Sequence, residues 1–407
     1  MRSICFLSAR MGQQRPCLYN CGEYCKMAAT HHQRGGNSIL AGADFILPLS
    51  DAGSGGVVTT QERGGGSPTF TRATVKWTKL ATGLWASVAS GTAASRYLGE
   101  NTEVGEYGGY FQEAAGTQLV TPTASIRDMT QAEWAATNIT AALTGTGIGG
   151  VANSCSRLTA TAADGTIFQT LTAAASSRTY SVFLKRVTGS GAISITQDGG
   201  STYTAVTSSV NSSTFTRVSI TASQLNAVFG IKMSTDTDVI LADFNQFEAG
   251  AFATSPMASA GAARNADALT YVFAGNADAA AGTVYAEMSS VWTTPGGTYT
   301  AIAMGANAAI FVPSAGGAGL VRITDGTTTV TKSGLASSAT GIRKRASSWG
   351  GLGLVITGDG AAVATGSFDG AMSNTNIAIG SGWNGTLKNV RLWQRQLDNE
   401  QLIKITA

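Results

Sequence analysis

Apolar and polar residues alternate with a period of two along much of the chain between Thr121 and Asp243. Turn-forming sequences such as TGSG, DGGS and TDTD separate these segments, and no apolar repeat of helical period lies between them. The predicted strands are Ser181–Lys185, Ala192–Thr196, Phe215–Thr221 and Phe229–Ser234. Short strands about ten residues apart predict an antiparallel β-sandwich or jelly roll.

The alternation starts again after Arg264. The predicted strands there are TVYAEM, AIAM, AIFV, GLVRIT, GLGLVIT, NIAIGS and LKNVRLW, with turns at TPGGTY, TDGT, TGDG and SFDG. The final QLDNEQLIKITA predicts a short helix that Asp398 caps, with Gln401 closing a capping box. This half therefore predicts a second β-sandwich.

The stretch QFEAGAFATS at Gln246–Ser255 lies between the two halves. It is interpreted as the last strand of the first sandwich, with Gln246 and Glu248 on one face and Phe247 on the other. Residues 256–263 are then the connector, and Arg264–Leu269 begins the second sandwich.

The predicted fold class is all-β, with tandem antiparallel sandwiches behind an irregular N-terminal region that contains the glycine cluster RGGGS. The predicted divisions are a leader without a packed core (1–42), an N-terminal attachment region (43–119), a jelly roll resembling carbohydrate-binding modules (120–256) and a concanavalin-like or laminin-G-like sandwich (264–407).

The leader has a cysteine content unlike that of the rest of the chain. Cys5, Cys17, Cys21 and Cys25 precede Met27, whereas Cys155 is the single cysteine afterwards. The spacing C-x3-C-x3-C before His31 and His32 matches no standard zinc site. We expect a disordered leader, or translated sequence upstream of a start at Met27. The scarcity of cysteine elsewhere favours assembly in a reducing cytoplasm.

Composition excludes several functions of the 407-residue chain. Charged residues make up 13%, about half the usual share, while hydrophobic residues stay at 43%, which indicates a folded protein. A net charge of +3 does not predict nucleic-acid binding, and no apolar run of 18 residues predicts a membrane span.

The sequence gives no support to a catalytic site. His31 and His32 are the only histidines, so a Ser-His-Asp or Cys-His mechanism has no base in the folded part. The stretch GTGIGG at 145–150 matches the pattern of a dinucleotide-binding loop, but no helical pattern follows, which favours a turn between strands. We therefore expect no enzyme.

Acidic residues offer two weaker alternatives. A glycosidase pair could come from Glu248, Glu287, Asp359 and Asp369, although none lies in a glucanase motif. We expect no cofactor. Calcium stays open as an alternative, and its candidate ligands are Asp236 with Asp238, or Asp359 with Asp369. Exposed turn residues are the favoured interpretation of all these acids.

Aromatic residues beside glycines give the best binding signal. An exposed ring can stack on a sugar while an amide takes its hydroxyls. The candidate carbohydrate-binding residues are Trp292 and Tyr299 around TPGG, Trp349 in SSWGG, and Trp383 with Asn384 in SGWNGT. The alternative is that these rings close the ends of the sandwiches, and for Trp393 in NVRLWQR we expect the core.

Three groups of motifs resemble those of tailed-phage virion proteins. FTRATVKW and GYFQEAAGTQLV resemble the opening of many such proteins, and Trp134 in AEWAATNIT matches the tryptophan at the start of their jelly roll. TYSVFLKRV, TFTRVSIT and DFNQFEAGAFATSP resemble the jelly-roll core, with Phe215 where the family usually has tryptophan. GTLKNVRLWQRQLDNEQL resembles the end of concanavalin A-like and laminin-G-like domains, while the stretch 77–108 departs from the family spacing.

The resemblance implies a non-enzymatic virion structural protein of the tail-fibre or head-decoration type. It implies an N-terminal part that anchors the protein, other virion proteins as partners, host cell-surface glycans as ligands and a homo-oligomer. Nucleic acid and membrane insertion are not expected, and localisation is the virion after assembly in the bacterial host cytoplasm. Two alternatives stay open: a purely structural head or tail component that makes subunit contacts, and a glycan-cleaving tail enzyme.

Overall fold

The structure, a computed structural model, describes residues 38–120, 126–257, 261, 263–290, 298–313, 321–336, 341–373, 375–381 and 384–407. The chain divides into two compact units, Met1–Gly42 and Ala43–Ala407. The described part of the first unit contains the short helix α1 (Ser38–Ala41). The second unit consists mainly of antiparallel strands, which confirms the predicted all-β class.

The first sandwich packs two antiparallel sheets, called sheets I and II, against each other. Sheet I runs in the order β11 (Ile139–Gly145), β12 (Cys155–Ala160), β19 (Val239–Ala249), β14 (Ser176–Thr188) and β17 (Thr216–Gln224). Sheet II runs in the order β10 (Ala135–Thr137), β13 (Gly165–Thr170), β18 (Val228–Met233), β15 (Ile193–Thr196) and β16 (Thr204–Ala205). A 3-10 turn at Thr207–Ser209 follows β16. The rings of Phe229 and Phe247 stack at 4.3 Å in the core, and the four strands predicted here are confirmed.

The second sandwich packs sheets III and IV around a core that includes Phe45, Leu269 and Leu392. Sheet III runs in the order β29 (Ala364–Gly366), β28 (Leu354–Gly358), β27 (Arg343–Trp349), β22 (Gly282–Ser290), β31 (Gly385–Trp393), β8 (Tyr107–Gln112) and β7 (Ser95–Tyr97), with β1 (Phe45–Leu47) also paired to β31. Sheet IV runs in the order β26 (Thr329–Lys332), β25 (Val321–Thr324), β24 (Asn307–Pro313), β23 (Thr298–Met304), β30 (Asn376–Ser381), β21 (Ala268–Val272) and β4 (Thr69–Thr71). Three two-stranded pairs complete the described strands: β2 (Asp51–Gly53) with β3 (Gly56–Val57), β5 (Lys76–Lys79) with β6 (Trp85–Val88), and β9 (Gly116–Thr117) with β20 (Ala263–Arg264).

The segment 43–119 does not stand apart from the sandwiches, which corrects its prediction as a region of its own. Strands β1, β7 and β8 belong to sheet III, and β4 belongs to sheet IV. Phe45 lies opposite Leu392, and Phe70 lies opposite Leu269. Strands of two to six residues carry too little alternation to reveal partners hundreds of residues away. The segment therefore completes the second sandwich.

The C-terminal helix α2 (Asn399–Thr406) begins as predicted. The Asp398 side chain accepts a hydrogen bond from the Gln401 backbone N–H at 2.8 Å, and the Gln401 side chain accepts one from the Asp398 N–H at 3.1 Å. This capping box satisfies backbone groups at the start of the helix, whose Leu402 and Ile405 are buried. Trp393 lies in the core as expected. No helix of the described residues has the length and apolar character needed to span a membrane.

The stretch Gln246–Ser255 closes the first sandwich as predicted. Strand β19 includes the first four residues of this stretch and ends at Ala249. Phe247 lies in the core, and Gln246 and Glu248 lie on the opposite face of the strand. The Glu248 carboxylate accepts hydrogen bonds from the Gln246 amide at 2.7 Å and from the Thr254 backbone N–H at 2.6 Å. Burial raises the pKa of Glu248, and these donors oppose the rise only in part.

Five charged side chains meet beside this stretch, and we call them the buried ion cluster: Arg72, Lys76, Glu113, Arg264 and Asp267. Asp267 contacts the Arg72 guanidinium at 2.9 Å and the Lys76 ammonium at 2.5 Å. Glu113 lies 3.4 Å from Lys76 and 3.7 Å from Arg264. The cluster thereby ties the N-terminal segment to the start of the second sandwich.

The electrostatics of the buried ion cluster reflect both burial and pairing. Burial lowers the pKa of Lys76, although Asp267 and Glu113 oppose that shift. Burial pushes the pKa of Glu113 upward, but Arg264 and Lys76 outweigh it and hold the pKa below its ordinary value. The Glu113 charge is therefore kept by its neighbours, and removal of one member of the cluster leaves another without its partner.

Buried tyrosines predict loss of stability in alkali. Burial raises the pKa of Tyr110, Tyr180, Tyr271 and Tyr285 above the ordinary value of 10.0. A raised folded-state pKa means that the stabilisation is complete below pH 10 and is lost as the pH rises beyond it, because only the unfolded chain ionises. We expect the midpoint temperature of thermal unfolding to decrease as the pH is raised from about 9 to about 11.5. Circular dichroism measures this temperature, and tyrosinate absorbance is recorded alongside. A midpoint that stays constant over this range would contradict the burial of these hydroxyls.

Candidate functional site

A groove with a volume of about 540 Å³ opens on the outer face of sheet I. Its floor is a row in which Arg157 of β12 and Lys185 of β14 both lie opposite Leu241 of β19. Residues opposite each other on antiparallel strands point to the same face, so these three side chains share the floor. Phe215 extends the row at the edge next to β17.

The first wall is the glycine-rich turn from β11 to β12, which confirms the prediction of a turn at 145–150. A Cβ atom on Gly145 would lie 2.5 Å from the Cys155 sulfur, and one on Gly147 would lie 2.4 Å from a carboxylate oxygen of Asp243. The Ile148 backbone N–H donates to the same carboxylate at 2.8 Å. Because these glycines have no Cβ atom, the backbone of the turn can lie close to the sheet, where the Ile148 N–H binds the Asp243 carboxylate.

Asp243 is the anchor beneath this wall. Its carboxylate accepts two hydrogen bonds from the Arg127 guanidinium, at 2.6 and 2.7 Å, and one from the Phe244 N–H at 2.9 Å. Burial raises the pKa of Asp243 while Arg127 opposes the rise. Burial also raises the pKa of the neighbouring Cys155 thiol to about 12, so the thiol stays protonated and unreactive at neutral pH.

The second wall comes from the N-terminal segment. Leu84, in the turn between β5 and β6, and Thr102 line the groove. The Thr102 N–H donates to the Phe215 carbonyl at 3.1 Å, and the Phe215 N–H donates to the Thr102 hydroxyl at 2.9 Å. The Trp85 N–H donates to the Ile148 carbonyl at 3.0 Å, which joins the two walls. The stretch 77–108 thus contributes to one side of the groove.

The third side is a serine-rich turn before β17. The Asn211 side-chain oxygen accepts the backbone N–H groups of Ser213 and Thr214 at 2.9 and 2.8 Å, which fixes the turn. Ser212 and Ser213 are exposed at the rim. The groove therefore presents hydroxyl groups beside aliphatic carbon.

The basic residues of the groove differ in their pairing. Arg186 lies 3.1 Å from the Asp238 carboxylate and donates to the Gly191 carbonyl at 2.7 Å. In contrast, no carboxylate of a described residue lies within 4.0 Å of the Arg157 guanidinium or the Lys185 ammonium. Both side chains are half-buried, so the floor carries two cations without a counter-ion from the described chain.

Sequence reasoning missed this groove. Arg157 and Lys185 are separated by 28 positions, and the pattern of either strand shows only an outward-facing polar residue. The available signals were the glycine-rich turn, interpreted only as a turn, and the unusual spacing of 77–108.

Two of the candidate sugar-binding residues are corrected by the structure. Trp349 is completely buried in the second sandwich, and its indole N–H donates to the Asp278 carbonyl at 3.0 Å. Asn384 is buried, and its side-chain oxygen accepts the Ala114 N–H at 2.9 Å. Neither side chain is exposed to a sugar, because each already fills a packing or hydrogen-bonding position.

The other candidates fall largely outside the described residues. Trp292 and Trp383 lie outside them, as does the side chain of Tyr299, whose backbone belongs to β23. Their predicted role in sugar binding stays a prediction.

The acidic residues considered for catalysis or calcium are dispersed. Glu248 is fully buried beside the ion cluster, Asp238 pairs with Arg186, and Asp359 lies 2.6 Å from Arg345. Within the described part of the chain, no three His, Cys, Asp or Glu side chains form a group that could hold a metal ion.

Comparisons with known proteins yield partial structural similarity only. No protein-family model and no curated protein matches the sequence. One similar solved structure is the N-terminal CBM22-1–CBM22-2 tandem domain of Xyn10C from Paenibacillus barcinonensis, at 10% identity over 69% of this chain and 98% of that chain, with a TM-score of 0.26. Another is the LG4-5 domain pair of the mouse laminin alpha1 chain, at 10% identity over 59% of this chain and 88% of that chain, with a TM-score of 0.23.

Proposed function

We propose that this chain is a non-enzymatic glycan-binding protein that decorates a tailed-phage particle on a fibre, the tail or the head. The observation that carries the binding function is the groove on sheet I, where hydroxyl groups lie beside aliphatic side chains. A sugar ring presents the complementary combination of hydroxyls and C–H faces. The volume of about 540 Å³ suits one or two sugar residues, given that small-molecule sites usually span about 300–1,000 Å³.

The chemistry of the groove favours binding over cleavage. Its lining includes no Asp, Glu, His or Cys side chain among the described residues. Hydrolysis of a glycosidic bond generally needs two carboxyl groups flanking that bond. We therefore propose no enzyme activity and no cofactor for this site.

The particle assignment is supported by the resemblance of the motifs from Ala43 onward to those of virion proteins. We propose virion localisation after assembly in the bacterial host cytoplasm, other virion proteins as partners and a homo-oligomer in which avidity strengthens weak sugar contacts. Immunogold electron microscopy of purified particles tests this part, and particles without label would contradict it.

A variant that fills the groove tests the binding function. Ser212 is exposed and lines the groove, so Ser212→Trp should place an indole in the ligand space. On an array of neutral and acidic bacterial surface glycans, we expect the unmodified protein to bind at least one glycan. The variant should bind that glycan at least about tenfold more weakly, which corresponds to a loss of about 1.4 kcal/mol.

The matched control is Ser223→Trp, which changes an exposed serine on β17 that does not line the groove. It should bind like the unmodified protein. Equal binding by both tryptophan variants would place the glycan elsewhere. Failure of the unmodified protein to bind any glycan would favour the alternative of a structural component that makes subunit contacts only.

A further inference from the structure

The most unusual feature of the groove is its pair of cations, Arg157 and Lys185, which have no ion-pair partner among the residues that the structure describes. Three other arginines on sheet I and its flanks have carboxylates: Arg186 pairs with Asp238, Arg217 with Glu100 and Arg127 with Asp243. Arg178 of β14 instead donates to the Gln224 and Ala174 carbonyls, at 3.1 and 2.7 Å. Arg157 and Lys185 are half-buried without such a contact. Partial burial of a cation is unfavourable unless an anion compensates it, so an anionic ligand would relieve this imbalance.

The positions of the two cations suit one ligand. Both lie opposite Leu241, one on each side, so their Cα atoms are two strand spacings apart, roughly 9–10 Å. Their long side chains leave the same face of the sheet and can reach toward the space above Leu241. A guanidinium can hold a carboxylate through two parallel hydrogen bonds, and an ammonium adds a point charge beside it.

The remaining lining identifies the kind of anion. Thr146 and Ser212 supply hydroxyls, and Leu84 and Val187, exposed at 38% and 40%, supply aliphatic surface at the rim. These groups complement a compact molecule that carries hydroxyls and C–H faces as well as its charge. A nucleic-acid strand would require a longer series of cations and several exposed stacking rings, whereas Phe215, the one aromatic residue of the described lining, is buried.

We infer that the groove selects a sugar residue that bears a carboxylate, such as a uronic or nonulosonic acid within a surface polysaccharide. This inference rests on the proposed glycan-binding function and specifies its ligand class. Arg157 and Lys185 bind the carboxylate, the serine and threonine hydroxyls contact the ring hydroxyls, and the aliphatic rim covers the C–H face.

The test uses polymers that differ only in the carboxylate. The probes are polygalacturonate and polysialic acid, each before and after chemical reduction of its carboxyl groups to alcohols. We expect the full-length protein to bind at least one of the two acidic polymers, and to bind its reduced form at least about tenfold more weakly, since a hydrogen bond to a charged group contributes about 1.5–3 kcal/mol. Binding to the acidic form should also weaken with added sodium chloride.

The variant Arg157→Gln/Lys185→Gln removes both cations and should reduce affinity for the acidic polymer at least about tenfold. Its thermal midpoint should stay unchanged or rise, because neither side chain makes an ion pair within the described chain and partial burial of an uncompensated cation is unfavourable. The matched control is Lys332→Gln/Arg395→Gln, which removes the same charge from the second sandwich. We expect its affinity to stay within twofold of the unmodified protein.

Several outcomes would overturn the inference. If neither acidic polymer binds, or if the reduced polymer binds as tightly as its acidic form, the groove does not select a carboxylate. Neutral glycans could still bind on the array and lose affinity with Ser212→Trp, in which case the proposed function stands without this specificity. Binding of oligothymidylate with the same dependence on Arg157 and Lys185, in the absence of acidic-glycan binding, would also overturn it.

Discussion

Asp267→Ala should destabilise the protein by about 3–5 kcal/mol, because it removes one member of a fully buried ion cluster. Asp267 accepts from the Arg72 guanidinium, the Lys76 ammonium and the Glu113 backbone N–H, all within 2.9 Å. The alanine variant leaves both cations buried with fewer partners. The free energy of unfolding from urea titration, followed by circular dichroism, measures the loss.

The control for this substitution is Asp236→Ala. Asp236 is an exposed residue in a turn, and we expect a change within about 0.5 kcal/mol. Asp267→Asn keeps the shape of the side chain and should fall between the two, since it removes the charge but retains an acceptor. Equal stability of Asp267→Ala and Asp236→Ala would show that the buried ion cluster does not stabilise the contact between the N-terminal segment and the start of the second sandwich.

Trp349→Ala should destabilise the second sandwich by about 3–5 kcal/mol and leave glycan binding in the groove unchanged. Trp349 is completely buried at the end of β27, and its indole N–H donates to the Asp278 carbonyl. The truncation creates a cavity and leaves that carbonyl without its donor. Urea titration gives the stability change, and the glycan array gives the binding result.

Leu352→Ala is the control for Trp349→Ala, because Leu352 is 59% exposed in the turn that follows β27. We expect its stability to change within about 0.5 kcal/mol. The result that would contradict our assignment is a Trp349→Ala protein of unchanged stability that has lost its glycan affinity, as an exposed sugar-stacking ring would behave.

The prediction for Trp349 was wrong for an identifiable reason. Adjacent glycines in SSWGG indicated a loop, and a ring in a loop was expected to be exposed. In the structure Gly282 lies directly opposite Trp349, and a Cβ atom there would lie 2.2 Å from the indole. Glycine here provides space for a buried ring. Local composition cannot separate these two uses of glycine, because the deciding neighbour is 67 positions away.

The N-terminal segment likewise shows that local sequence does not reveal contacts with distant residues. Its short strands were interpreted as an attachment region, but β1 and β8 pair with β31 in the second sandwich. The β5–β6 turn supplies Leu84 to the groove. Each of these contacts joins residues from distant parts of the sequence. The residues in any short stretch of the chain therefore do not reveal which strands pair or which side chains line the groove.

The sequence by itself determined the features that depend on neighbouring residues. The period of two located four strands of the first sandwich and seven of the second, Asp398 and Gln401 specified the helix cap, and the alternation around Phe247 located the end of the first sandwich. These features follow from backbone geometry over a few residues. Only the tertiary structure decided which strands pair, which tryptophan is buried and which charged side chains form ion pairs. The groove belongs to this second class: Arg157 and Lys185 become neighbours only when β12 and β14 flank β19, because strand pairing depends on the packing of the whole sheet.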